Sequence, residues 1–320
     1  MIASKEMPIS GGWVEDILAA HVPRGPLYVV ENLLFHGLNL IAGPPKAGKT
    51  NFAFQLAFSV AKGIPLFGQF RVVAGKVLYI ALEEMPELTA SRLAKMGVEF
   101  PPRSLQVEYN FPSLSKGGAL RIGNFIAHNP GTKLVVVDVF QRLRGSSGKS
   151  SYTAEYNELE ALQKIGNQSG VAIVLLHHTI KSRSSSWQAE ISGSQGMTGV
   201  ADTTIRLFPA DFADKGRLYV TGRKCAERKW LVEFDASTLT WSLVGEETEH
   251  QFTPERSEII KALADTYGGF LTPQQLAQAT GLGNKSVFNM LEKLSKAGLV
   301  GKIRRGRYQL TLLGQKALKS

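Results

Sequence analysis

The residues Gly43-Pro44-Pro45-Lys46-Ala47-Gly48-Lys49-Thr50 follow the pattern G-x-x-x-x-G-K-T, and the chemistry of such a loop is the holding of a polyphosphate. Its glycines let the backbone curl until several N–H groups face one anion. A helix starting near Asn51 would add the positive end of its dipole. Lys49 would neutralise the β- and γ-phosphates, and Thr50 would hold Mg²⁺. These eight residues and Asn51 are therefore candidate ligands of a nucleoside triphosphate. A glycine-rich turn ahead of an ordinary helix would not need an apolar strand, the loop, the Lys-Thr pair and an apolar helix in that order.

Three further groups belong to the same chemistry. Lys133-Leu134-Val135-Val136-Val137-Asp138 is an apolar strand ending in an acid, so Asp138 is a candidate for the metal or its water. Many AAA+ enzymes place a catalytic Glu directly after that Asp. Here Val139 follows, and the residue that orients the attacking water must come from another strand. Glu83 and Glu84 end the strand Lys76–Leu82; Glu83 is assigned to the water and Glu84 to the start of the next helix, where negative charge suits the dipole. The buried run Val171–Leu176 ends in His177-His178. No Cys/His cluster accompanies them as tetrahedral metal ligands, so one histidine, His178 ahead of His177, is assigned to sensing the γ-phosphate.

Taken together, GPPKAGKT, Val77-Leu78-Tyr79-Ile80-Ala81-Leu82-Glu83-Glu84, LVVVD and LLHHTIK resemble the RepA-type branch of RecA-like ATPases, which includes plasmid replicative helicases and phage relatives. The resemblance covers about Pro26 to Phe234. It implies a hexameric ring that hydrolyses ATP with Mg²⁺ at subunit interfaces, often while moving on single-stranded DNA. An interfacial site needs a cation from the neighbouring copy. Thr221-Gly222-Arg223-Lys224 is similar to the place where such rings carry an arginine finger, which makes Arg223 the candidate and Arg206 its competitor. The catalytic set is thus Lys49, Glu83, Asp138, His178 and Arg223. Two serine-rich stretches, 144–150 and 181–187, stand where RecA-like proteins line the pore. Lys149, Lys181 and Arg183 would track phosphates there and Trp187 would stack on a base; the alternative is plain loop.

The elements that must position these groups are legible in the pattern. Strand-like and helix-like segments alternate from Leu38 to His177, with continuous β-branched and leucine runs, which predicts a parallel sheet covered by helices on both faces. Strands at 202–207, 218–221, 230–234 and 239–243 follow in close succession and predict antiparallel pairs extending it. The fold class is α/β. The expected organisation is a leader over 1–36 that packs on the core, the ATPase core over 37–245, a polar linker over 246–252 and a small module over 253–320.

Composition narrows the class further. With 43% hydrophobic residues over 320 positions the chain is a globular protein, and its lone cysteine, Cys225, excludes an internal disulfide framework. No signal pattern and no membrane-length apolar run occur, so a cytoplasmic protein without a membrane partner is expected. The net charge of +10 is uneven: residues 253–320 hold 11 Lys and Arg against 4 acids. A basic module of this kind points to a polyanion.

That module reads as three helices and a hairpin. Thr272-Pro273-Gln274-Gln275 is a capping box, and Gly281-Leu282-Gly283 is a short turn before the third helix. Val287, Leu291 and Leu294 face inward, leaving Lys285, Ser286 and Asn289 outward, while Arg304, Arg305 and Arg307 decorate the hairpin. This resembles a winged helix-turn-helix domain, a type that binds DNA or docks proteins.

The reading is an ATP-hydrolysing motor on nucleic acid, a replicative DNA helicase of a plasmid, phage or mobile element. Its partners would be single-stranded DNA in the ring, duplex DNA on the winged helix, further copies of itself, and a primase or initiator. The rival is an ATP-switched DNA-binding regulator or helicase loader. A P-loop kinase is third, since no motif for a phosphate acceptor appears.

Overall fold

The computed structural model describes residues 14, 26–98, 103–144, 152–179, 195–209, 215–246, 254–266, 269–296, 298–304, 306–311 and 314–315. The chain divides into two compact units, Met1–Val244 and Gly245–Ser320.

The first unit opens on a hairpin, β1 (Tyr28–Val30) and β2 (Leu34–Phe35), and continues with β3 (Gly37–Gly43), α1 (Lys49–Lys62), β4 (Lys76–Ala81) and α2 (Pro86–Lys95). Next come β5 (Leu105–Glu108), α3 (Gly118–His128), β6 (Thr132–Asp138), α4 (Phe140–Arg144), α5 (Tyr152–Ser169) and β7 (Ala172–His178). Helix α6 (Gln195–Val200) leads into β8 (Thr203–Pro209), β9 (Lys215–Gly222), β10 (Arg228–Asp235) and β11 (Thr240–Glu246). One nine-stranded sheet results, in the order β11-β10-β9-β8-β3-β7-β6-β4-β5. Strands β3 to β8 run parallel, and β8, β9 and β10 pair antiparallel.

The unbroken apolar runs have a simple cause: successive side chains enter opposite faces, and both faces are covered. Leu134, Val136, Val174 and Leu176 join the core under α1, with Phe52, Phe54 and Leu56. Val135, Val137, Ile173 and Leu175 join the core on the other face, with Ile122, Phe140, Leu159 and Leu162. Three features go beyond the sequence reading. The end of the expected leader forms β1 and β2, with Val29, Val30, Leu33 and Leu34 fully buried in the first core. The short helices α4 and α6 escape pattern reading because five and six residues hold less than two helical turns. Strand β11 runs to Glu246, into the polar stretch read as linker.

The second unit holds α7 (Pro254–Ala264), α8 (Pro273–Thr280), α9 (Asn284–Lys296) and the hairpin β12 (Val300–Arg304) with β13 (Arg307–Leu310). The Thr272 hydroxyl accepts from Gln275 N at 3.3 Å while Gln275 Oε1 accepts from Thr272 N at 2.9 Å, so the capping box is formed. Ile259, Ile260, Leu276, Val287, Leu291, Leu294 and Val300 make a core of its own. Among the described residues no helix is long and apolar enough to cross a membrane.

Candidate nucleotide site

The loop between β3 and α1 is shaped by two glycines. A Cβ at Gly43 would lie 2.0 Å from the carbonyl oxygen of Leu207, so only glycine allows β8 to approach the end of β3. Gly48 caps α1 at φ 77°, ψ 15°, a left-handed conformation that favours glycine. Lys46 also stands at positive φ, 63°, and its side chain is exposed at the cleft.

The cleft has a volume of about 230 Å³ and is lined by Lys46, Ala47, Gly48, Lys49, Thr50 and Asn51 from the loop and helix. Glu83, Arg92, Asp138, Val139 and His178 line it from four other segments. Strand order explains the meeting. Asp138 ends β6 in register with Ala81 of β4, so Glu83, two residues further along, arrives beside it. Strand β7 pairs with β3 until Gly43 faces His178.

Lys49 is 5% exposed and its ammonium donates to the carbonyls of Gly43 at 2.9 Å and Pro44 at 2.8 Å. It also lies 3.0 Å from Nδ1 of His178. Burial pulls its pKa down to about 8, against the opposing pull of Asp138 and Glu83. Burial likewise raises the Asp138 carboxyl, although the hydroxyls of Thr50 and Tyr79 donate to it and stabilise its charge. The Tyr79 bond measures 2.9 Å. His178 is lowered by burial and then by Lys49. His177 is turned into the protein, 6% exposed, and burial takes it down to about 4.

Of the two acids after β4, Glu83 faces the cleft and also accepts from Arg142 Nε at 3.2 Å. Glu84 is 10% exposed and pairs with Arg92 at 2.5 Å, also accepting from Thr89 Oγ1 at 3.2 Å. It does not sit in the first turn of α2, whose first-turn acid is Glu87, but it does bind that helix through side chains.

Sequence reasoning missed Arg92, Tyr79 and Trp241. Arg92 lines the cleft, donates to Asn51 Oδ1 and stacks over Phe54 at 5.7 Å. Thr89 and Arg92, three apart on one helix face, were a visible hint, but their partner across the fold was not. Tyr79 in an apolar strand signals a hydroxyl in need of a partner. Trp241 Nε1 donates to the Gly48 carbonyl from a strand that no motif marks.

The two candidate fingers lie toward opposite strand ends of the neighbouring β8 and β9. Arg206 pairs with Ala42 near the phosphate loop and stacks over Phe208 at 4.7 Å. Arg223 follows β9 at the start of β3, donates to the Gly199 carbonyl and is exposed. Neither lines its own cleft. Lys149, Lys181, Arg183, Trp187 and Arg305 lie outside the described residues. Lys285, Asn289, Arg304 and Arg307 are exposed on the second unit and Ser286 is half-buried.

Residues 4–184 match the family described as AAA domain. The chain belongs to the AAA domain family. Its fold is that of RecA-like P-loop ATPases, although Val139 and not Glu follows Asp138. A solved ATPase domain superposes at a TM-score of 0.52 with 14% identity, over 65% of this AAA domain protein and 84% of that chain. A DnaB-like replicative helicase, solved for its interactions with primase, superposes at 0.51 with 14% identity. That likeness covers 64% of this chain and 58% of the helicase. None of the curated proteins matches the sequence.

Proposed function

We propose that this AAA domain protein is an ATP-hydrolysing motor on nucleic acid, of the RepA-type helicase branch, working in the cytoplasm as a ring of identical subunits. One observation carries the reading: Lys49, Thr50, Glu83, Asp138 and His178, drawn from three strand ends and one helix, converge on one cleft. The donor set fits ATP with Mg²⁺. The Lys49 ammonium is now solvated by the loop's own carbonyls, a role an anion would take over, and a hydroxyl beside a carboxylate suits a metal that keeps most of its waters.

The division of labour follows from position. The backbone of residues 43–51 grips the phosphates, with Lys49 countering their charge. Thr50 and Asp138 would hold Mg²⁺, which when bound offsets the negative charge that develops on the phosphoryl oxygens. Glu83, the acid that faces the cleft, orients the attacking water. His178 touches the terminal phosphate through the ring edge that Lys49 does not occupy. Arg223 from an adjoining copy completes the site. The interactions with primase named for a structural neighbour suggest a primase or initiator as partner here too.

Residues 253–320 supply the second reading, a regulator or loader. Exposed Lys285, Asn289, Arg304 and Arg307 suit a winged helix-turn-helix that grips duplex DNA. ATP hydrolysis and strand separation, measured with single-stranded and forked DNA, test the choice. A motor hydrolyses faster with single strands and separates the fork, and Lys49→Ala does neither. Duplex binding without stimulation or separation would support the regulator.

A further inference from the structure

The back of the phosphate loop is held by a residue far away in the chain. Trp241, on β11, donates its indole N–H to the carbonyl of Gly48 at 3.3 Å. Its main chain is clamped to α1 by a reciprocal pair: Gln55 Nε2 donates to Trp241 O at 2.8 Å, and Trp241 N donates to Gln55 Oε1 at 2.9 Å. The ring fills the space behind the loop. A Cβ at Gly48 would lie 2.8 Å from it, as would one at Gly216 on β9. The residue is 7% exposed and packs on Phe234 at 4.9 Å.

A loop of this kind works by turning N–H groups outward, so its carbonyls must point back into the protein. The Gly48 carbonyl there accepts both the Phe52 N–H, at 3.0 Å, and the indole. We propose that Trp241 is a positioning residue for the polyphosphate, holding the Gly48 carbonyl back so that the loop is already shaped before the anion arrives. The proposal rests on the reading of the cleft as an ATP site. A preshaped loop loses less freedom on binding, so the effect falls on affinity and not on the chemical step.

The test is Trp241→Phe, which keeps an aromatic ring behind Gly48 and removes the donor, in the full chain. The control is Trp230→Phe on β10, a tryptophan 4% exposed that packs on Phe70 at 5.1 Å. Loss of one hydrogen bond predicts that Trp241→Phe raises the Kd and KM for ATP·Mg²⁺ roughly three- to tenfold, with kcat changed by less than about twofold. Trp230→Phe leaves both constants near wild type. An unchanged Kd in Trp241→Phe, an equal rise in the control, or a loss confined to kcat overturns the proposal. A wild-type protein that binds no ATP·Mg²⁺ overturns the ATP site itself, a different failure. Should Trp241→Phe not fold, indole exchange in the wild type decides: slow deuterium exchange of the Trp241 N–H before nucleotide supports the hold, and fast exchange overturns it.

Discussion

Nδ1 of His178 lies 3.0 Å from the ammonium of Lys49. A charged lysine has only donors, so this ring nitrogen accepts, and the proton of the neutral imidazole stands on Nε2. One end of the ring is thereby tied to the phosphate loop while the other carries a donor.

His178→Ala should lower kcat by about 10²-fold, the scale for losing one aimed donor, with a smaller change in KM. His177→Ala should mainly lower the melting temperature, because that ring is buried in the sheet. Steady-state kinetics and thermal melts separate the two. The opposite pattern would move the sensing role to His177.

The pKa of Lys49, pulled down to about 8 by burial, predicts a pH dependence of binding. Phosphate favours the charged ammonium, so affinity is full below about pH 8 and falls by up to about tenfold per unit above it. Stability of the nucleotide-free protein runs the other way. Its Lys49 contribution improves as pH rises from about 8 toward 10.5, since the folded state binds the proton less tightly than the unfolded chain. Calorimetric titrations and melts over that range, with Lys49→Ala as reference, should show both trends and lose both in the variant.

Glu84 and Arg92 form a largely buried pair, 10% and 20% exposed. Glu84→Ala leaves the guanidinium without its counter-charge beside the cleft, and a destabilisation of about 3–5 kcal/mol is expected in denaturant unfolding. Glu83→Gln, at a carboxylate 44% exposed, should leave stability nearly unchanged and remove turnover.

Arg223 and Arg206 are separated by a mixing experiment. Arg223→Ala subunits should bind ATP without turning it over, and activity should return when they are mixed with Glu83→Gln subunits. Arg206→Ala, at a half-buried strand position, should lower stability without such rescue. Rescue by Arg206→Ala alone would exchange the two roles.

Residues 253–320, with their own core of Ile259, Leu276, Val287 and Leu291, should fold alone and bind duplex DNA. Replacing Arg304 and Arg307 by Ala should flatten the slope of log K against log salt by about 0.9 for each phosphate that is no longer neutralised. An unchanged slope would point to protein docking instead.

The local patterns were enough for much of this molecule. Runs such as Leu134–Val137, apolar at every position, announce a strand covered on both faces, and G-x-x-x-x-G-K-T can work only as a turn from strand to helix. Lys49 was legible from the loop motif, and Glu83, Asp138 and His178 for another reason: each stands at or just beyond a strand end, and in a parallel sheet strand ends share one edge. Tertiary structure decided which neighbours they have. The choice of His178 over His177 depends on the phase of β7, which sends one ring to the cleft and the other into the core. Arg92 reaches Glu84 and Asn51 because α2 packs beside α1, and Trp241 reaches Gly48 because β11 folds back to the loop from 193 residues away. Periodicity encodes which face of an element is apolar, whereas the approach of two distant elements is set by how whole surfaces pack, and no short stretch of sequence carries that.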